Sequence, residues 1–326
     1  MEVLVAARPL REGALRLAEK ALSHLESALK SSGVEVEEAR VLTEPGERAR
    51  GPAVVGVATG GTERIVLSAV SGVPAVLAAT PLANSLPAAL EVSSALRERG
   101  QLVRVAYFSS WSDVEAGALL RGIRVSEAAS RLLRLKIGSY GGPSDWLVSS
   151  WLSGLDVRVL PLGEVLGPLG EPGGLGEAWS SVPRREVERA YSIYLGMKRS
   201  IEENGLDAVT VRCFDLLEEG VTACLALALL NSEGVVAGCE GDLRALFSMA
   251  LLSYVSGRPA WMANPISVEG RRIRLAHCTF PLAEAVEFGL TTHYESGLSV
   301  GIAATPPEGS PVTMLRVSGD LREALL

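Results

Sequence analysis

The sequence predicts an α/β protein: two doubly wound parallel-sheet domains followed by a small antiparallel β-rich C-terminal domain, with boundaries at 1–133, 134–258 and 259–326. Three observations predict it. Short apolar runs alternate with amphipathic stretches over the first three-quarters of the chain, as a parallel sheet covered on both faces requires. After Pro259 helical spacing gives way to short alternating segments. The length, 326 residues, suffices for two or three domains with sizeable cores.

Element by element, residues 3–7 read as a strand, 13–31 as a helix with leucines at helical spacing stopped by Gly33, and 34–42 as a second strand. Residues 53–58, 75–79 and 102–108 continue the sheet, each beside a helical segment. The helix before Leu102 starts with Asn84 or Ser85 as N-cap, holds Pro87 in its first turn and has Gly100 just past its end. A second run of this Rossmann-like type gives strands at 135–139, 157–160, 208–213 and 235–237, with helices over 184–203, 220–230 and 243–256. Residues 163–176, rich in Gly and Pro, read as a loop. The last region offers strands at 260–263, 271–279, 290–294, 298–303 and 312–317.

Charge and composition exclude several classes. Lys and Arg total 31 against 38 Asp and Glu, a net charge of −7 without a basic block. Counterion release needs clustered cations, so neither nucleic acid nor a membrane is an expected partner. Mean hydropathy is +0.25, and the uncharged stretch 65–90 is long enough to span a bilayer. Pro74, Pro81, Pro87, Gly72 and Asn84 interrupt it, so soluble core is expected. Residues 1–11 show no basic region before a long apolar run, which points to the cytoplasm. Cys213, Cys224, Cys239 and Cys278 lack a CxxC pair, so reduced, buried thiols are expected in place of a zinc knuckle or a disulfide framework.

Ligands of open parallel sheets sit at the carboxyl ends of strands. Here those ends carry Thr59-Gly60-Gly61, Asn84, Trp146, Asp215 and Glu240-Gly241-Asp242, small, polar or acidic groups that suit a hydroxyl-rich ligand. Gly60-Gly61 can cradle a phosphate or simply form a tight strand-to-helix turn, and no Walker motif or GxGxxG is present. Asp242 reads as a helix cap or first-turn acid in preference to a catalytic group. Glu240 stands between an apolar strand and that helix and is harder to assign to structure. Among the three histidines, His24 lies on the outer side of an amphipathic helix. His277 shares a strand face with Ile273 and Leu275, which fits either a core histidine or a ligand. His293 and Glu295, at i and i+2 on an expected strand, project to the same side. Carboxylate and imidazole without thiolate suit Mn²⁺ better than structural zinc.

Cys239-Glu240-Gly241-Asp242, then Gly257-Arg258-Pro259 through Met262-Ala263-Asn264-Pro265, then Ala276-His277-Cys278-Thr279-Phe280-Pro281, resembles the core of the L-fucose and L-arabinose isomerase family over roughly 209–317. Thr59–Glu63, Asn84–Ala88 and Pro143–Trp146 resemble a short, fucose isomerase-like branch of it. The resemblance implies a metal-dependent aldose–ketose isomerase of carbohydrate metabolism that works through a cis-enediol with Mn²⁺, as a homo-oligomer, trimer or hexamer. Glu240 matches its catalytic and metal-binding glutamate, His277 its histidine ligand, and His293 falls near a later histidine position. Asn264 stands where the isomerases carry a second catalytic carboxylate, and an amide can coordinate but cannot act as a base. Thr59, Gly60, Gly61, Asn84, Trp146, Asp215 and Glu295 are the expected sugar-binding residues. The change to Asn264 and the chain's shortness leave open a non-catalytic sugar-binding or regulatory protein on the isomerase scaffold.

Overall fold

The computed structural model describes residues 1–10, 12–148, 150–176 and 178–326, so Arg11, Ser149 and Glu177 lie outside it. The chain forms two compact units, Met1–Leu133 and Arg134–Leu326. Its main sheets are parallel and its small ones largely antiparallel.

In the first unit, strands β1 (Glu2–Ala6), β2 (Glu38–Leu42), β3 (Ala53–Val57), β4 (Ala75–Ala79) and β5 (Arg104–Tyr107) run parallel in the order β2-β1-β3-β4-β5. Helices α1 (Ala14–Ser31), α2 (Glu63–Val70), α3 (Ser85–Glu98) and α4 (Ala116–Leu132) cover it. Because β1, β3 and β4 bury every residue, they read as continuous apolar runs without alternation. Alternate side chains still choose faces. Leu4, Val55 and Leu77 pack with Ile65 and Val66 of α2 and Val92 and Leu96 of α3. Val5, Val54 and Val76 pack with Leu25 and Leu29 of α1 and Leu119 of α4 on the other face. The uncharged stretch 65–90 is broken into α2, β4 and the start of α3, and no helix among the described residues is long and apolar enough to cross a membrane.

In the second unit, β6 (Lys136–Tyr140), β7 (Asp156–Leu160), β9 (Ala208–Val211) and β10 (Val236–Gly238) form a parallel sheet in the order β10-β9-β6-β7. Its helices are α5 (Arg184–Asn204), α6 (Cys224–Ser232) and α7 (Leu243–Ser256). Helix α6 is buried from Cys224 through Asn231, so it is apolar all round.

The C-terminal strands differ from expectation in three ways. The expected strand at 260–263 is absent, because β11 (Asn264–Glu269) pairs with β12 (Arg272–Ala276) only from the Asn264–Ala276 register onward. The strands β13 (Glu287–Thr291) and β14 (Gly301–Thr305) are antiparallel, yet a two-residue strand β8 (Trp179–Ser180) joins β13 in parallel. That pairing needs Gly289, where a Cβ would overlap the Trp179 ring at 2.0 Å. Finally, β15 (Arg316–Val317) is far shorter than the expected 312–317 and pairs with β16 (Ala324–Leu325).

Candidate functional site

The sheet of the second unit reverses direction of growth between β6 and β9, the place where a parallel sheet opens a crevice at its carboxyl edge. Beyond β10 the chain makes a tight turn in which the Asp242 N–H donates to the Cys239 carbonyl at 3.3 Å. Both central residues, Glu240 (φ 64°) and Gly241 (φ 61°), are left-handed, as a type I′ turn demands. Gly241 is obligatory, because a Cβ there would lie 2.8 Å from the Gly142 carbonyl oxygen and 2.9 Å from the Ser144 nitrogen. Its N–H donates to Val211 at the end of β9 at 2.9 Å, and the Ser144 hydroxyl donates to the Glu240 carbonyl. The turn is thus tied to the loops after β6 and β9. Asp242 leaves it as a helix cap: its Oδ1 accepts from the Arg244 and Ala245 N–H groups, each at 3.0 Å, while Oδ2 accepts from Arg316 at 2.7 Å.

His277 follows β12 directly, and its side chain is 3% exposed. Its Nε2 lies 3.3 Å from the Glu240 Oε1, too poorly aligned for a hydrogen bond, so this buried nitrogen has no hydrogen-bond partner. Its Nδ1 lies 3.5 Å from the Cys278 sulfur. Burial pulls the His277 pKa down, but Cys278 and Glu240 outweigh it and push the imidazole up to about 10. Cys278 moves the opposite way. Hydrogen bonds from the Cys224 and Cys239 thiols to its sulfur, with His277 and His293 beside it, overcome burial and hold it far below an ordinary thiol. Cys224 is raised in return by its hydrogen bond to Cys278 and by burial, and Cys239 by its hydrogen bonds to Cys213 and Cys278 and by burial.

The expected reduced, mostly buried thiols are found, with Cys213, Cys224 and Cys239 buried and Cys278 part-buried, and the fold gathers them near His277 and His293. The sulfurs of Cys224 and Cys278 and a ring nitrogen of His293 lie within 4.8 Å of one another, and so do the donors of Cys239, His277 and Cys278. No CxxC spacing announced this, because the donors come from α6, the β10 turn, the segment after β12 and the loop after β13.

His293 and Glu295 do not share a strand face. Strand β13 ends at Thr291, and a turn closed by the Gly297 N–H on the His293 carbonyl at 2.8 Å buries His293 and exposes Glu295. Ser296 takes the adjacent place, its hydroxyl 2.9 Å and its N–H 3.3 Å from the His293 Nδ1. The apolar face expected on β12 is also not a core face, since Ile273 is exposed. Asn264 opens β11, exposed, in register with Ala276 beside His277.

Trp146 and Asp215 are linked through Arg212. Phe214 lies 5.1 Å from the Trp146 ring and edge-on to His293 at 6.5 Å. Arg212, which the sequence reading missed, stacks 5.3 Å over Trp146 and binds Asp215 at 2.7 Å and Asp145 at 3.3 Å. Its position one residue past β9 was the available signal. Thr59, Gly60, Gly61 and Asn84 are gathered in the first unit, where the sheet reverses between β1 and β3. There Arg8, also missed, donates its N–H to the Thr59 hydroxyl at 2.9 Å and its Nε to the Gly61 carbonyl at 3.2 Å. Gly60 allows Asn84 to approach, since a Cβ on it would lie 2.8 Å from the Asn84 Cβ.

No protein-family model matches the chain. Over 91 residues it is 24% identical to sulfoquinovose isomerase from Clostridium sp. (strain MSTE9), a match covering 27% of this chain and 20% of that protein. The chain thus spans about one fifth of the length of the curated relative it matches, and the relationship this similarity supports is sugar isomerase-like.

Proposed function

We propose that the chain is a metal-dependent aldose–ketose isomerase-like enzyme of carbohydrate metabolism, of the fucose and arabinose isomerase type, working through a cis-enediol. The observation that carries this reading is the Glu240–His277 pair, a buried imidazole nitrogen without a hydrogen-bond partner facing a carboxylate oxygen at 3.3 Å. Two donors on adjacent positions of an octahedral ion of the Mg²⁺ and Mn²⁺ class lie about 3 Å apart, so the pair fits such a cation. Glu240 and His277 would hold Mn²⁺, which supplies positive charge opposite neighbouring sugar oxygens. His293, the further ligand expected from the resemblance, instead keeps company with Cys224 and Cys278.

The chain's own groups then have distinct tasks. Abstracting a weakly acidic proton from carbon needs a base held within hydrogen-bond reach. The Glu240 carboxylate takes the C2 proton of the aldose and returns it at C1 while the O2 hydroxyl proton passes to O1 through solvent, and the rigid turn around Glu240 fixes its direction. Arg212 and Asp215, joined at 2.7 Å, and the half-exposed Trp146 offer hydrogen bonds and an apolar face to a sugar. Asn264 contributes an amide without a charge. The proposed setting is cytoplasmic and homo-oligomeric, as a trimer or hexamer.

The test is incubation of the protein with Mn²⁺ and a panel of aldoses, sugar phosphates and sulfonated sugars, including sulfoquinovose. Ketose formation and exchange of the C2 proton with solvent are followed, and both are expected to vanish in Glu240→Gln. Absence of exchange with every sugar, in folded and metal-replete protein, overturns the reading. The exposed, neutral Asn264 favours a second one, a sugar-binding protein without turnover. In that case calorimetry finds sugar binding that neither a chelator nor Glu240→Gln alters.

A further inference from the structure

Cys224 opens α6, Cys278 follows His277 behind β12, and His293 sits in the loop after β13. These segments are remote in sequence, yet their three donor atoms lie within 4.8 Å of one another. Cys224 is 1% exposed and His293 4% exposed, while Cys278 is only part-buried, so two of the donors face protein and the third borders solvent. We propose that Cys224, Cys278 and His293 form a binding site for a borderline-soft cation of the zinc class, with a fourth coordination position left to water or another exogenous donor.

Zinc binds thiolate sulfur at about 2.3 Å and imidazole nitrogen at about 2.0–2.1 Å, so tetrahedral donors lie about 3.5–3.8 Å apart. The observed spacing admits such an ion with small side-chain adjustments. The donor set selects the metal, since thiolates favour Zn²⁺ over Mn²⁺ or Mg²⁺. The Ser296 N–H and hydroxyl lie 3.3 Å and 2.9 Å from the His293 Nδ1; a metal at Nε2 would move the ring proton to Nδ1, where the Ser296 hydroxyl accepts it and orients the ring, as an outer-shell partner does for a ligating histidine. Cys278 is shared with the group of Cys239 and His277, so one ion can claim its sulfur on one side. Variants tell the two groups apart, since an ion on the other side would be lost with Cys239→Ser and kept in Cys224→Ser and His293→Ala. Glu240 supplies no donor here, and the site stands whether or not the chain isomerises sugars.

Cobalt(II) is the probe. Full-length protein, reduced and freed of metal by a chelator, is titrated with Co²⁺ and then Zn²⁺. The expected result is one equivalent of Co²⁺ giving a sulfur-to-cobalt charge-transfer band with the intense visible bands of a tetrahedral ion, both removed by one equivalent of Zn²⁺. Cys224→Ser, Cys278→Ser and His293→Ala each lose the band, and Ser296→Ala weakens Co²⁺ binding about 10–100-fold. Cys213→Ser and Glu240→Gln keep it. The proposal is overturned if folded wild-type protein with four free thiols gives no such band. It is equally overturned if the band survives Cys278→Ser, or if Co²⁺ binds only in octahedral form and is lost with Glu240→Gln. The isomerase assay reads out independently, so failure of either idea leaves the other standing.

Discussion

Replacing Glu240 by alanine and by glycine separates the backbone's preference from the carboxylate's role. At φ 64° a residue with a Cβ is strained, and the penalty for an L-residue in this left-handed region is roughly 1–2 kcal/mol. Glycine avoids that penalty but gives the unfolded chain more freedom, which costs about 0.4–1 kcal/mol relative to alanine. Both variants lack the carboxylate 3.3 Å from His277, so that loss cancels in the comparison. Glu240→Gly is therefore expected to be more stable than Glu240→Ala by about 0.5–1 kcal/mol. In a helix the order reverses: at exposed Glu19 in α1, alanine should exceed glycine by about 1 kcal/mol. Urea unfolding midpoints measured for the four variants at one pH test both orders. A Glu240→Gly protein no more stable than Glu240→Ala refutes the claim that the turn is strained for any side chain. Confirmation would mean that the proposed base occupies a place the backbone reserves for glycine, with stability given up to aim it.

Three further expectations follow from the same region. Gly241→Ala combines a left-handed φ with a Cβ 2.8 Å from the Gly142 carbonyl, and should destabilise the protein by roughly 2–5 kcal/mol, read from denaturant midpoints. Asp242→Ala removes two N-cap hydrogen bonds and the partner of a half-exposed Arg316, and should cost about 1–2 kcal/mol by the same measurement. Burial pushes the Tyr140 phenol up to about 12 from 10.0. Its neutral form therefore supports the fold fully below pH 10, and this contribution is lost as pH rises from 10 toward 12. Tyr194 is also raised, by burial and its hydrogen bond to Glu233, so phenolate absorbance should show late ionisation that Tyr140→Phe reduces by one tyrosine, and an unchanged late phase in Tyr140→Phe would contradict it.

The parallel sheets were legible because their strands are buried on both faces and punctuated by glycine and proline, as in β4 and α7, whose bounds agree with the sequence reading. The C-terminal strands were less so. There, pairing partners decide where a strand exists: β11 starts only where β12 reaches it, and β8 forms because Gly289 leaves room for Trp179. Asp242 was readable as a cap since capping is local. The relation of Glu240 to His277 was not readable from spacing and entered only through family resemblance. The cysteines were read as free and mostly buried, as they are, but their gathering was not legible, because contact between α6 and the segment after β12 has no signature in local spacing. Glu295 failed where a turn replaced the strand that alternation had assumed.

The turn that carries Glu240 also has a history in time. Helix α7 and its cap can form from neighbouring residues, but the contact of Ser144 with the Glu240 carbonyl closes a separation of 96 residues, and Thr222 meets Val300 across 78. Loops of that size close late, because their entropy is lost before any contact rewards it. Until then the four thiols of the second unit are accessible and free to pair with one another. The order of assembly therefore predicts that refolding without a reductant lowers the recovered yield, even though the finished fold contains no disulfide among the described residues.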